Sequence, residues 1–153
     1  MKKPKPAKAP EPPKPWKISR ILVAVDFSES SLHALSHAAS LAVAYGASLT
    51  VLHVGEPLHP DWFFDTTRIQ ADLIKKANSA LRDATGKLCE GVNATTEMRF
   101  GHPVQTIVEA SDKLDADVIV IGTHGHTGVK RALLGSVAER VARHASRPVL
   151  IVR

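Results

Sequence analysis

Continuous apolar runs alternate with apolar positions at helical spacing along most of the chain. Residues 20–25 (Arg-Ile-Leu-Val-Ala-Val) and 117–121 (Asp-Val-Ile-Val-Ile) lack a polar–apolar alternation, which predicts strands buried on both faces. Residues 48–54 predict a further strand. Residues 94–100 alternate and predict an outer strand, and residues 148–152 predict a last strand at a sheet edge.

Amphipathic segments separate these runs and predict helices. Apolar residues between positions 32 and 45 recur at helical spacing, Ser28 is a suitable N-cap, and Gly46 is a suitable C-terminal stop. A long amphipathic helix is expected over residues 69–88. Two further helices are expected over residues 103–114, with Pro103 near the first position, and over residues 136–144.

The alternation of strands and helices predicts the fold class. We expect an α/β protein with an open five-stranded parallel sheet and helices on both faces. Aromatic residues make up only 5% of the chain, and its apolar content lies in Val, Ile, Leu and Ala, which suits a sheet between helices. A single domain over residues 17–153 is therefore expected, with right-handed crossovers.

Residues 1–16 stand apart from this pattern. They hold six of the ten prolines, and five lysines against one glutamate give them a net charge of +4. The whole chain carries +5, so the domain itself is nearly neutral and nucleic acid is not an expected partner. We expect an extended basic tail that serves as a linker or solubilising segment, with an arm for acidic partners as the alternative.

Signals for membranes, secretion and disulfides are missing from the sequence. No apolar run approaches the ~18 residues of a membrane span, and the N-terminus lacks the apolar core of a secretory signal. The single cysteine, Cys89, cannot form an internal disulfide and is expected to pack as a small apolar residue. A cytoplasmic protein that does not bind membranes is the expectation.

A glycine-rich stretch follows the fourth predicted strand. Gly122 and Gly125 stand where the chain leaves the sheet, and Gly135 directly precedes the last helix. Glycines can turn several backbone N–H groups toward one point and allow a phosphate close to the main chain. Ser136 and Glu139 have the spacing of a capping box, and a helix N-terminus favours an anion. The stretch therefore predicts a phosphate site.

Plainer interpretations stay open for each of these residues. The glycines could be turn residues, and Ser136 could cap a helix without any ligand. His124 and His126 are better explained as exposed loop residues than as a metal pair, since no third ligand is evident. Lys130 and Arg131 could reach outer phosphates or lie in solvent. His53, at the end of a strand, is expected to be a hydrogen-bonded histidine near the pocket.

The glycine spacing resembles the ATP-binding pattern of the universal stress protein family. The matching residues are Gly122, then Gly125 after two intervening residues, and Gly135-Ser136 after nine more intervening residues. Flanking segments also match: Val-Asp-Phe-Ser after the first strand, Leu-His-Val in the second, and the closing Arg-Pro-Val-Leu-Ile-Val. The similarity covers residues 18–153 and leaves only the tail outside.

The resemblance implies the ATP-binding branch of that family and a sheet order of 3-2-1-4-5. In this order the strand before Asp26 and the strand before Gly122 are neighbours at a topological switch point, where open α/β sheets bind ligands. The carboxylate of Asp26 would lie by the ribose, although it could also help to cap the next helix. The implied ligand-binding residues are Asp26, Val54, Ile121, Gly122, Gly125, Gly135, Ser136 and Val137.

Three function classes are compatible with these features. The first is an ATP-binding stress-response or signalling module with little or no turnover, which we favour because no nucleophile–base pair or protein metal ligand set is evident. The second is a slow ATPase or phosphoryl-transfer enzyme. The third is a dimerisation module, or a binder of another adenine nucleotide. Mg²⁺ would arrive with the triphosphate. The resemblance also implies a homodimer through the last strand, Pro148 to Val152.

Overall fold

A computed structural model describes residues 16–56, 66–123 and 135–153. Apart from Trp16, the basic tail lies outside these residues, and so does the loop segment that carries Gly125, His124, His126, Lys130 and Arg131. The described residues form five strands and four helices. In chain order they are β1 (Arg20–Ala24), α1 (Glu29–Tyr45), β2 (Ser48–Gly55), α2 (Thr66–Leu88), β3 (Ala94–Phe100), α3 (Pro103–Lys113), β4 (Val118–Gly122), α4 (Ser136–His144) and β5 (Val149–Val152).

All five strands are parallel and lie in the order β3-β2-β1-β4-β5. At the centre of the sheet, Val23 of β1 pairs with Val51 of β2 on one side and Val120 of β4 on the other. The predicted fold class and strand order are confirmed. Both β3 and β5 are edge strands, as their patterns indicated, and the switch point lies between β1 and β4.

Each face of the sheet carries its own core. Ile21 and Val23 of β1 pack against buried residues of α1 and α2, whereas Leu22 and Ala24 pack on the opposite face against α3 and α4. Successive residues of a strand point to opposite faces. Adjacent β1 residues therefore serve two cores, which explains why the strand has no polar alternation. Its apolar side chains all contribute to burial, the dominant stabilising term in folding.

Helix α1 begins and ends where the sequence predicts. The side chain of Ser28, the N-cap, accepts a hydrogen bond from the backbone N–H of Ser31. Gly46 closes the helix with a φ of 62°, a left-handed conformation that suits glycine. These two caps satisfy groups that a helix end leaves without an intrahelical partner. The Ser28 cap also fixes the turn that leads from β1 into α1, on which the site depends.

The carboxylate of Asp117 ties the start of β4 to the start of β1. Its Oδ2 accepts hydrogen bonds from the backbone N–H groups of Ser19 at 2.7 Å and Arg20 at 2.9 Å. These bonds, with that of Ser19 foremost, hold the pKa of Asp117 below its usual range, and the nearby Arg20 charge adds to them. Asp117 lies directly before β4, which begins at Val118, whereas the predicted strand included it.

Cys89 follows α2 and is buried, with 6% of its surface exposed. Burial raises the pKa of its thiol. Reactive cysteines combine a lowered pKa with exposure, so Cys89 is the small packing residue that its position predicts. Within the part of the chain that the structure describes, no helix is both long and apolar enough to cross a bilayer.

Candidate functional site

The chain leaves neighbouring strands β1 and β4 toward opposite faces of the sheet. The first turn of α1 belongs to the face of one core, and α4 packs on the other. The last registered pair between the two strands is Ala24 with Ile121. A crevice therefore opens beyond this pair, at the carboxyl ends of the strands, as expected at a switch point.

A cavity of about 160 Å³ occupies this crevice. Its walls are mostly apolar and come from β1, β2, β4, α3 and the start of α4, with polar groups from Asp26, Ser31, Thr123 and Ser136. All the predicted site residues within the described part of the chain line it, whereas Gly125 lies outside that part. Those that line it are Asp26, Val54, Ile121, Gly122, Gly135, Ser136 and Val137.

Asp26 holds the residue that caps α1. Its Oδ1 accepts hydrogen bonds from the backbone N–H of Ser28 at 3.0 Å and from the Ser28 hydroxyl at 2.5 Å. The Ser28 oxygen in turn accepts from the N–H of Ser31 at 3.3 Å. The suggestion that Asp26 supports the helix start is thus correct. It does not conflict with a ligand role, since Asp26 also lines the cavity.

Gly122 is needed for packing as well as for its place at the cavity. A Cβ at this position would lie 2.5 Å from Ser30 Oγ and 2.7 Å from the Ser30 carbonyl carbon. The first turn of α1 therefore approaches the end of β4 more closely than a residue with a Cβ at position 122 would allow. The sequence suggested a phosphate contact or a turn for this glycine and gave no sign of its packing against the first turn of α1.

Helix α4 begins at Ser136, and its N-cap is Gly135, which provides no side-chain cap. The predicted capping box of Ser136 and Glu139 is wrong. The N-cap is Gly135, one residue before Ser136, and its N–H donates to the carbonyl oxygen of Thr123 at 2.7 Å. Glu139 pairs with Arg143 instead, at 2.9 Å. Among the described residues, no N-cap side chain bonds to the first backbone N–H groups of α4, which also have no intrahelical acceptor, and they border the cavity.

His53 lies partly buried next to the site, as predicted. Its Nδ1 is 2.8 Å from the carbonyl oxygen of Val25. Its ring packs on the ring of Phe27, with centroids 4.7 Å apart. Phe27 has a φ of 68°, which is uncommon for a residue with a side chain, and no feature of the sequence indicated it.

A second, more open groove of about 570 Å³ adjoins the cavity. The two share Asp26, Val54 and Pro103 in their linings. One face of α2 forms a wall of the groove, including Leu73, which is 50% exposed. The amphipathic pattern of residues 69–88 gave no indication that Leu73 is half exposed.

Comparison with known proteins decides the family. The universal stress protein family model matches residues 17–153. The chain belongs to the universal stress protein family. Universal stress protein MJ0531 of Methanocaldococcus jannaschii is 37% identical over 143 residues, which cover 88% of this chain and 81% of that protein.

Solved structures of universal stress proteins share the fold. That of UspA from Lactobacillus plantarum has a TM-score of 0.80 and 26% identity, and the match covers 90% of this chain and 99% of that one. Two others hold adenine nucleotides. One is a complex with cAMP (TM-score 0.62, 30% identity, 90% and 98% covered). The other is an Archaeoglobus fulgidus protein with dAMP (TM-score 0.62, 28% identity, 90% and 99% covered).

Proposed function

We propose that this universal stress protein binds ATP and acts as a stress-response or signalling module with little or no turnover. One observation carries the proposal: the described residues implied as ligand contacts, which come from separate parts of the chain, line a single cavity at the switch point. That cavity offers an apolar slot, a carboxylate and a helix N-terminus. Each suits a different part of a nucleotide.

The apolar part of the cavity suits an adenine base. The cavity has a volume of about 160 Å³ and mostly apolar walls with a few polar groups, which is typical of small-molecule sites. Val54 and Ile121 contribute apolar walls. We therefore place the base there, with the sugar and the phosphates toward the open side.

The polar end of the cavity suits the ribose and the phosphates. The Asp26 carboxylate can accept a hydrogen bond from a ribose hydroxyl. The N–H groups of Ser136 and Val137 lie in the first turn of α4, where the helix dipole favours negative charge. Gly125, outside the described residues, is proposed to complete the phosphate contacts, and any Mg²⁺ would arrive with ATP.

Low turnover is proposed because the described lining offers little for hydrolysis. Asp26 is the one carboxylate among the described residues that line the cavity, and Ser28 already holds its Oδ1 through two hydrogen bonds. Phosphoryl transfer to water needs a group that orients the water and a metal that bridges the phosphates. We therefore assign Asp26 to the ribose rather than to catalysis.

A second candidate is another adenine nucleotide. The cAMP and dAMP complexes of related structures favour this possibility. The base slot would be used in the same way, and only the phosphate end would differ. ATP and a nucleoside monophosphate would therefore differ in the number of phosphate contacts they need from the glycine-rich stretch and from the start of α4.

The remaining assignments extend the same proposal. The domain is taken to span residues 17–153 of a cytoplasmic protein, with residues 1–16 as a basic linker or tail.

Strand β5 pairs with β4 on one side and forms a sheet edge, where Leu150 is 40% exposed. Exposed apolar edges invite pairing. We propose a homodimer that pairs β5 of the two copies.

Binding and turnover can be measured on the purified full chain. Mass spectrometry of the denatured protein should recover ATP or ADP, and calorimetry of the emptied protein should rank ATP above ADP, AMP and cAMP. A time course of phosphate release should stay near the rate without protein. If no adenine nucleotide binds, the proposal fails; tighter binding of cAMP or AMP selects the second candidate, and rapid phosphate release identifies an enzyme.

Gly125→Val tests the phosphate contacts directly. A branched side chain should exclude a phosphate from the main chain and abolish ATP binding, while adenosine, which has no phosphate, retains its affinity. Circular dichroism and melting temperature should match those of the unsubstituted protein. Unchanged ATP affinity would remove the phosphate role of this glycine.

A further inference from the structure

We propose that His53 is a positioning residue of the nucleotide site. It holds the two residues on either side of Asp26 and thereby aims the Asp26 carboxylate at the cavity. The inference rests on the proposed function, in which that carboxylate accepts a hydrogen bond from the ribose. It assigns a task to a side chain that lines the adjoining groove but not the cavity itself.

The first contact of His53 fixes Val25, the residue before Asp26. The N–H of Val25 donates to the carbonyl oxygen of Leu52 at 2.8 Å, which adds one bond beyond the last registered pair of β1 and β2. The carbonyl oxygen of Val25 is 2.8 Å from His53 Nδ1. A carbonyl can only accept, so Nδ1 carries the proton.

The second contact fixes Phe27, the residue after Asp26. Its φ of 68° lies in the left-handed region, which residues with a Cβ enter only where their surroundings hold them. The His53 ring supplies such a hold, with ring centroids 4.7 Å apart and the planes inclined at 39°. One side chain from β2 therefore restrains both neighbours of Asp26.

The turn restrained in this way sets the direction of Asp26. Its Oδ1 meets the N–H and the hydroxyl of Ser28, two residues later, across the left-handed Phe27. If Val25 or Phe27 relaxes, the carboxylate loses its alignment with both Ser28 and the cavity. A histidine that served packing alone would instead lower the stability of the whole domain and affect all ligands equally.

Two substitutions separate the contacts. His53→Asn retains an N–H donor near the position of Nδ1 but removes the ring, whereas His53→Phe retains a ring but removes the donor. His37 provides matched controls, since it is an exposed α1 histidine whose Nδ1 lies 2.9 Å from a backbone carbonyl, that of His33. His37→Asn and His37→Phe should leave every readout below unchanged.

The first readout needs no ligand. Hydrogen exchange of the Ser28 amide, followed by NMR, reports its bond to Asp26 Oδ1. We expect His53→Phe to accelerate this exchange by about tenfold, the scale of one lost hydrogen bond, while amides in the centre of β4 keep their protection. His53→Asn should accelerate it less, because it keeps the donor to Val25 and loses only the contact with Phe27. Unchanged Ser28 exchange in His53→Phe, or acceleration across all strands, would overturn the proposal.

The second readout is the preference for ATP over 2′-deoxy-ATP and 3′-deoxy-ATP, measured as a ratio of Kd values. Asp26→Ala should reduce the preference for whichever hydroxyl Asp26 binds by about tenfold. His53→Phe should reduce the same ratio, and the double variant should reduce it no further.

The outcomes separate a failure of the positioning role of His53 from a failure of the ribose contact of Asp26. If Asp26→Ala changes the ratio and His53→Phe does not, the positioning role is overturned and the proposed function stands. If Asp26→Ala leaves the ratio unchanged, the ribose contact of the proposed function fails, and the inference fails with it.

Discussion

The backbone N–H of Gly135 donates to the carbonyl oxygen of Thr123 across 2.7 Å, so the start of α4 is bonded to the end of β4. Thr123 is also fixed from the other side, because its own N–H donates to the carbonyl oxygen of Val152 at 2.8 Å. Thr123 and Gly135, which flank the segment outside the described residues, are therefore hydrogen-bonded to each other in the wall of the cavity. This bond places Gly122 and Ser136 in one lining, although the loop separates them in sequence.

Gly122→Ala should destabilise the domain. The new Cβ would lie 2.7 Å from the carbonyl carbon and oxygen of Ser30, and because these are backbone atoms, the first turn of α1 must shift. Overpacking of this kind costs about 1–3 kcal/mol in the free energy of unfolding. Urea denaturation followed by circular dichroism measures the change.

Gly86→Ala is the matched control, with the opposite sign. Gly86 lies within α2, and a Cβ there would meet nothing within 4 Å. Alanine is favoured over glycine in a helix by about 0.5–1 kcal/mol, so this variant should be slightly more stable than the unsubstituted protein. If both alanine variants behave alike, close packing against Ser30 does not explain the glycine at 122.

Ser28→Ala and Ser136→Ala should differ although both serines stand at helix starts. Ser28 is the N-cap of α1 and its side chain accepts from Ser31, so its loss should cost about 1 kcal/mol. Ser136 follows its N-cap, Gly135, and Ser136→Ala should leave the free energy of unfolding nearly unchanged. Thermal denaturation of both variants without nucleotide makes the comparison. Equal losses would indicate that Ser136 caps α4 after all.

The pattern of side chains predicted the architecture because a strand that is buried on both faces has a continuous run of apolar residues. The uninterrupted apolar residues of β1 serve one core through Val23 and the other through Leu22. Local caps such as Gly46 could also be predicted, because a helix often ends at a glycine in the left-handed conformation that Gly46 adopts. Asp26 was assigned to the site through the family resemblance, and in the structure it lies two residues after the end of β1 and lines the cavity.

The features that sequence reasoning missed depend on contacts between distant segments. The N-cap of α4 is Gly135, whose N–H donates to the carbonyl oxygen of Thr123, and a capping-box pattern cannot register that bond. The packing role of Gly122 depends on Ser30 in another element. The left-handed φ of Phe27 likewise follows from its surroundings, among them the ring of His53, and not from its residue type.

Asp117→Asn should lower the melting temperature by a few degrees at pH 7 and have little effect in acid. The folded pKa of Asp117 lies below its usual value, chiefly through the hydrogen bond from Ser19, so the ionised form stabilises the fold. This contribution is fully present above the ordinary aspartate pKa of about 3.9 and disappears as the pH falls through the folded value. Melting curves from pH 7 to pH 2 should therefore converge. Asp83→Asn, at an exposed position of α2, is the control and should follow the unsubstituted protein throughout.

Leu150→Lys should convert the proposed dimer to a monomer. Leu150 lies in the edge strand β5 and is 40% exposed, and a lysine there places like charges near each other across a two-fold pairing of β5 strands. Sedimentation velocity should show the shift toward monomer at micromolar concentration. Val43→Lys, at an apolar position of α1 that is 67% exposed, should leave the sedimentation coefficient unchanged. A Leu150→Lys protein that sediments as the same dimer would assign the interface to another surface, whereas dissociation by Val43→Lys would point to α1.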